Sequence, residues 1–238
     1  NFLFEKWTLS VYLDVQNVYN QPNVRLVDIR ETPIERITEK GIKTSAAEHA
    51  FDIIIYATGF DAITGAFDHI DITGVGGETL RDKWRDGPST YLGMFVHGFP
   101  NMIMPAGPQS GSASTNYPRG IETGVDWCTD FLQHLWAHGH DRAEPTLAAE
   151  ERWTAHVTKM YSEMLMRKAK SWFTGYNSNV AGHEQGKIRY FVYNGGAPKY
   201  VSTIRDVADK GYEGMALSAG STRPARPAAT GVESAARR

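Results

Sequence analysis

An α/β fold is what this sequence predicts, and three observations carry it. The run Ile53 to Ala57, inside FDIIIYATGFDA, is uninterruptedly apolar and stops at Thr58-Gly59. A strand that does not alternate polar and apolar residues has both faces covered, the pattern of a central strand in an α/β sheet. Two segments, beginning near Pro118 and near Pro145-Thr146, place apolar residues at helical spacing. IERITEKGIKTS sets Ile34, Ile37 and Ile42 around Lys40-Gly41, which predicts a hairpin.

The elements follow in chain order. After the turn-like NQPN, NVRLVDI (Asn23 to Ile29) is β-branched and apolar-rich and reads as a strand. The hairpin comes next, then FDIIIYA as the central strand. GVGGETLRDKW (Gly74 to Trp84) and RDGPS read as loops. GMFVHGFPNMIMPAG predicts two short strands about the turn HGFPN, ending at Gly107, and PQSGSASTN is a polar loop. Pro118 stands where the first turn of a helix tolerates proline. That helix carries Ile121, Val125, Cys128, Phe131, Leu132 and Leu135, with Gly139 to cap its end. In the next helix Trp153, Val157, Met160, Tyr161 and Met164 form a stripe suited to core packing. SWFTGYNSNVAGHEQGK (Ser171 to Lys187) is a long loop, with Trp172 expected as its buried aromatic anchor; loops this long are usually functional or disordered. IRYFVYN predicts a strand and YVSTIRDVADKGYEG a short closing helix. Residues 219–238, rich in Pro, Ala, Ser and Arg, predict a disordered tail.

Composition excludes several function classes. At 238 residues, 41% hydrophobic and 22% charged, the chain can bury a sizeable core, as soluble globular proteins do. A net charge of −2 leaves no basic surplus for nucleic acid or an anionic membrane surface. No apolar run reaches membrane-span length. Cys128 is the only cysteine, so no intrachain disulfide forms and a reducing cytoplasm fits. NFLFEKW carries Glu5 and Lys6 and does not read as a signal peptide. The first residue is Asn1, not Met, so the chain is expected to begin within a longer protein.

Candidate chemistry gathers at strand ends. In open α/β sheets ligands bind beyond the carboxyl ends of the strands, and a glycine there lets backbone approach a ligand closely. Thr58-Gly59 and Ala106-Gly107 are two such ends, although ordinary strand-to-loop turns account for the same pattern. His134 and His138 in HLWAHGH are four apart, as metal ligands on one helix face are. Gly139 separates them from His140, and a solvated helix end that favours positive charge is the plainer reading. GPQSGSAS does not match the strained G-x-S-x-G nucleophile turn, so its serines read as a hydrogen-bonding loop. GVGG does not open a helix within a strand–helix unit, and no G-x-G-x-x-G fingerprint occurs in the chain.

Taken in order, FDIIIYATGFDA, GVGGETLRDKW, GPSTYLGMFVHGFPNMIMPAGPQSGSASTNYPRGIE, SWFTGYNSNVAGHEQGK and VYNGGAPKYVSTIRDVADKGYEGMAL resemble the C-terminal half of flavin-dependent Baeyer–Villiger monooxygenases, from about Gln21 to Leu217. ATGFD alone is shared with many flavin enzymes; the ordered series is what is specific. GPQSGSASTNYPR is closer to the branch acting on large cyclic ketones and steroids than to the phenylacetone branch. The resemblance implies part of a flavoprotein built on two dinucleotide-binding, Rossmann-like domains, with added helices. Residues 1–47 would be the tail of an NADP-binding domain, 48–145 the C-terminal half of an FAD-binding domain, 146–218 a helical segment with a control loop, and 219–238 the tail. The implied cofactors are FAD and NADPH. The implied substrates are O2 and a small-molecule ketone, one oxygen being inserted beside the carbonyl to give an ester or lactone.

By the same resemblance, Thr58, Gly59, Phe60 and Asp61 match a strand end lying against the cofactors, and Gly107 and Pro108 match the turn near the flavin. Asn116 and Tyr117 match the flavin contact that follows, Tyr117 standing where some relatives carry methionine. Ser112, Ala113 and Ser114 match the loop on the substrate side of the flavin ring. Trp172 matches the tryptophan of the loop that closes over NADP, a lid that excludes water. No catalytic residue is assigned to this chain. The catalytic arginine, both G-x-G-x-x-G motifs and the F-x-G-x-x-x-H-x-x-x-W signature lie upstream in the family, and Arg30, Arg36 and Arg119 do not match that arginine. The chain alone is therefore expected neither to hold FAD tightly nor to turn over, its partner being the missing N-terminal half of the same protein. An N- or S-oxidising flavin monooxygenase and a non-catalytic orphan fragment are the alternatives.

Overall fold

A computed structural model divides the chain into two compact units, Asn1–Gly59 and Phe60–Arg238. The structure describes residues 24–57, 61, 63–169, 171–177 and 192–219, the side chains of Ala113 and Ser114 excepted. The expected tail 219–238 from Gly220 onward, the later part of the long loop and the first half of IRYFVYN lie outside the described residues.

In the first unit the expected hairpin forms. β1 (Ile34–Thr38) pairs antiparallel with β2 (Gly41–Thr44), Ile37 opposite Ile42 and Thr38 opposite Gly41. β3 (Glu48–Ala50) pairs antiparallel with the other edge of β2. Gly41 is needed there because a Cβ would run into the His49 carbonyl oxygen of β3. The two other strands expected in this unit do not form: residues 24–28 and 51–57 carry no strand. Ile53 and Ile55 are 78% and 84% exposed. A strand exists through its ladder partners. The three-stranded sheet reaches only Phe51, whose N–H meets the Lys40 carbonyl at 3.0 Å.

The second unit closes a core of its own. Two short helices, α1 (Gly65–Asp68) and α2 (Leu80–Lys83), come first. The second arises inside a segment expected as loop because Thr79 caps it, accepting from the Asp82 N–H at 3.1 Å. The two helices read from apolar spacing are present as α3 (Tyr117–Ala137) and α4 (Leu147–Ser162), and the closing helix as α5 (Ala197–Asp209). Pro118 lies in the first turn of α3, and Thr146 caps α4, accepting from the Ala149 N–H at 3.2 Å.

α3 buries Gly124, Trp127, Cys128, Phe131 and Leu135, while Ile121, Val125 and Leu132 of the expected stripe stay exposed. Gly124 sets that rotation: a Cβ there would collide with the Pro105 carbonyl, so the helix lies directly on the preceding loop. Trp127 stacks on Phe131 with ring centroids 5.6 Å apart, and Phe95 and Tyr212 close around the pair. Trp127 donates through Nε1 to the Ile204 carbonyl of α5 at 2.7 Å. Two strands, β4 (Arg142–Pro145) and β5 (Met215–Ser218), pair antiparallel beside this core; RAEP and MALS are too short and mixed to announce themselves.

The strands expected about HGFPN are absent. Residues 92–104 run as successive turns, with Leu92 and Asn101 in the left-handed region, which interrupts any ladder. Their apolar side chains are satisfied by core burial instead: Met94, Phe95 and Val96 are fully buried. Val192 to Asn194 is likewise no strand, and the buried Tyr193 stacks on Trp153 at 5.6 Å. Glu150 of α4 ties these turns to α2. Its buried carboxylate accepts from Lys83 Nζ at 3.0 Å, Ser89 Oγ at 3.0 Å and the His97 N–H at 2.6 Å, so its charge is paired and its oxygens are satisfied.

Candidate functional site

The segment Pro105 to Tyr117 is closely packed and hydrogen-bonded. Gly107 packs against its own neighbourhood: a Cβ would lie 2.7 Å from the Gly93 carbonyl oxygen and 2.9 Å from Met104 Cβ. Pro108 is buried, and its carbonyl accepts from Thr90 Oγ1 at 3.1 Å. The next residue, Gln109, has φ of 66° and is 5% exposed. Its Oε1 accepts from Thr90 Oγ1 at 2.9 Å and from Thr154 Oγ1 of α4 at 3.2 Å, and its Nε2 donates to the Pro88 carbonyl at 2.9 Å.

From there the chain makes a 3-10 turn, Gly111–Ser114, into α3. Gly111 rests on the ring of Tyr200, where a Cβ would be 2.5 Å from Cδ1. Tyr200 is itself pinned, donating to the Leu92 carbonyl at 2.7 Å. Ser112 is buried under the first turn of α3, where Gly120 leaves room for it. Asn116 caps α3, accepting from the Arg119 N–H at 3.4 Å, and both Asn116 and Tyr117 are exposed. The result is a helix N-terminus whose last turns before α3, Ser110 to Tyr117, carry hydroxyl and amide side chains and no charge. Backbone donors at a helix start suit oxygen acceptors.

Other groups are less suited to chemistry. Burial pushes the Cys128 thiol up to about 11, which leaves it protonated and inert. Burial, then the nearby Glu213, pushes Tyr91 up to about 12. His134 and His138 lie with ring centroids 4.1 Å apart and their planes tilted by 32°, and His138 Nδ1 sits 2.8 Å from the His134 carbonyl. Among the described residues no group of three or more His, Cys, Asp or Glu is arranged to hold a metal. No described helix is long and apolar enough to cross a membrane.

The sequence-derived site residues are thus distributed unevenly. Gly107, Pro108, Ser112, Asn116 and Tyr117 come together in the one loop and helix start. Ala113 and Ser114 belong to the same turn by their backbone. Asp61 is partly buried, with Gly65 making room beside its carboxyl; Thr58, Gly59 and Phe60 lie outside the described residues. Trp172 is a correction. It is 51% exposed rather than a buried anchor, its ring stacked on Phe173 at 3.9 Å. The turn it sits in, Trp172–Thr174, is anchored by the other end: Thr174 is buried and donates to the Ser171 carbonyl at 2.7 Å. Gln109, Thr90, Thr154 and Tyr200 were invisible to motif reading, because their partners lie up to 108 residues away in sequence.

Comparison with known proteins gives this geometry a lineage. No protein-family model matches the chain. Phenazine N-monooxygenase PhzNO1 of Lysobacter antibioticus is 41% identical over 207 residues, 86% of this chain and 37% of that protein. Cyclopentanone 1,2-monooxygenase of a Comamonas strain is 39% identical over 201 residues, 84% of this chain and 36% of that enzyme. A crystal structure of OTEMO in complex with FAD and NADP superposes with a TM-score of 0.68 at 40% identity, covering 84% of this chain and 36% of that one. The chain therefore spans a little over a third of the length of the relatives it matches. Within that span the chain is similar in sequence to a cyclopentanone monooxygenase and in both sequence and mixed helix-and-strand architecture to OTEMO.

Proposed function

We propose that this chain is the C-terminal portion of an FAD- and NADPH-dependent monooxygenase that inserts one oxygen from O2 beside a ketone carbonyl, giving an ester or lactone. One observation carries the reading: the similarity to a ketone monooxygenase extends over 201 residues, 84% of the chain, and is not confined to a short motif. When bound, FAD reduced by NADPH supplies the oxygen chemistry. This chain's own residues bind, orient and exclude water. Gly107 and Pro108 keep a tight turn beside the ring, and Asn116 and Tyr117 present the uncharged start of α3 to it. Ser112, Ala113 and Ser114 form the turn on the substrate side. Thr58, Gly59, Phe60 and Asp61 follow the apolar run FDIIIYA and would lie against the cofactors, and Trp172, half exposed on its capped turn, would cover NADP.

The fit is partial in a specific way. The loop suits the ring end of FAD, but the chain has no G-x-G-x-x-G for either pyrophosphate. Those motifs, and the catalytic arginine, belong to an N-terminal portion of the same protein, with residues 1–47 closing its NADP-binding domain. A cytoplasmic setting goes with the single buried cysteine. A second reading, oxidation of an aromatic ring nitrogen, is favoured by the phenazine N-monooxygenase, which is as similar as the ketone enzymes are. Incubating the longer gene product with NADPH and either cyclic ketones or phenazines decides between them. Lactone formation is the expected outcome; N-oxide formation alone would move the chain to the second reading, and no NADPH-dependent oxygenation of either would remove both.

A further inference from the structure

We infer that Gln109 is a positioning residue whose strained backbone and three-way side-chain bracket set the geometry of the Gly111–Ser114 turn. Five non-glycine residues among those described have positive φ, and two of them, Leu92 and Gln109, bear on this turn. Leu92 takes the hydroxyl of Tyr200, the ring on which Gly111 rests. Gln109 precedes the turn by two residues and is buried with every polar atom of its side chain engaged, on Thr90, Thr154 and Pro88. Left-handed backbone at a residue with a side chain persists only where its surroundings over-determine it, and such strain collects at functional sites. Here the surroundings are identifiable. One amide joins the turn before the core (Pro88 to Thr90), the middle of α4 (Thr154) and the loop itself. No glycine could do this, although glycine would adopt the backbone without strain.

That contrast gives the inference a signature which a merely structural residue lacks. Replacing Gln109 by Gly relieves the backbone while removing the bracket, so stability and loop order should part company. The functional half of the inference rests on the monooxygenase reading above; the structural half does not. The test compares Gln109→Gly, Gln109→Asn and Thr154→Val with the parent. In the 238-residue chain, backbone amide exchange across residues 110–117 is followed alongside thermal melting. In the longer flavin-loaded gene product, ester formed per NADPH consumed is measured, with kcat and KM for NADPH.

Gln109→Gly should exchange at least about tenfold faster across the turn, while its melting falls by less than loss of the three-bond bracket alone would bring, because the relieved backbone offsets part of it. It should also form less ester per NADPH, through kcat and not through KM. Gln109→Asn, which keeps an amide and tolerates the left-handed region, should recover part of both. Thr154→Val should show the same direction with a smaller change. Unchanged exchange across 110–117 in Gln109→Gly overturns the inference. Faster exchange with unaltered ester per NADPH overturns its functional half. A parent that binds no flavin sinks the monooxygenase reading instead, and the exchange result then decides the positioning role by itself.

Discussion

The two compact units use apolar residues in opposite ways. In the first, Val24, Leu26, Ile53, Ile55 and Tyr56 are exposed around a three-stranded sheet. In the second, Phe95, Phe131, Val157, Tyr193 and Ile204 are at most 1% exposed, and helices, turns and one two-stranded sheet close a core. Both units carry apolar runs, so an apolar run alone does not decide burial. Partner supply does. A helix satisfies its own backbone and needs only a surface to lie on. A buried strand needs neighbours on both edges. FDIIIYA has the composition of a central strand without the neighbours, whereas GMFVHGF is covered by α2, α3 and α5 and needs no ladder.

The comparison is broken most strongly by emptying the core on one side and not the other. Phe131→Ala should lower the stability of the chain by about 3–5 kcal/mol, read as a melting or urea midpoint, while Ile55→Ala should stay within about 0.5 kcal/mol. Equal losses at the two positions would mean that the first unit buries its apolar run after all. Gly124→Ala comes next. A methyl has no room against the Pro105 carbonyl, so overpacking of about 1–3 kcal/mol is expected despite alanine's better helix propensity; a stabilised variant would show that α3 does not lie on the loop.

Much of the second unit was legible in the sequence because its signals are local. Pro118, Thr146 and Gly139 mark helix ends, and 3.6-residue spacing marks α3 and α4. What was illegible depends on contacts remote in sequence. The rotation of α3 follows from Gly124 meeting Pro105. The left-handed Gln109 sits between a proline and a serine with nothing local to betray it, and its bracket joins residues 19, 21 and 45 positions away. Trp172 shows the reverse error: an aromatic in a long loop suggests an anchor, but the anchor is the small Thr174 beside it.

Smaller effects sharpen the picture of the second unit. Tyr200→Phe deletes the hydroxyl that meets Leu92 and should cost about 1 kcal/mol, measured by denaturant titration. The pH dependence should be weaker still. Burial, then the adjacent His138 and His140, hold His134 below the usual histidine range. The unfolded chain therefore takes up this proton first as pH falls, so the stability it represents is whole above pH about 6.5 and lost on acidification below it. His134→Asn should flatten the fall in melting temperature between about pH 7 and about pH 5. An unaltered slope would place the acid sensitivity elsewhere.

The proposal that this chain supplies the ring-facing loop of a flavin monooxygenase, with the phosphates held by another portion of the protein, has one direct test. The visible absorption spectrum tests it most directly, taken on the purified 238-residue chain and on the longer gene product. The account predicts bound, stoichiometric flavin in the longer protein and none in the chain alone. Stoichiometric flavin in the chain alone, or its absence from the longer protein, would contradict it.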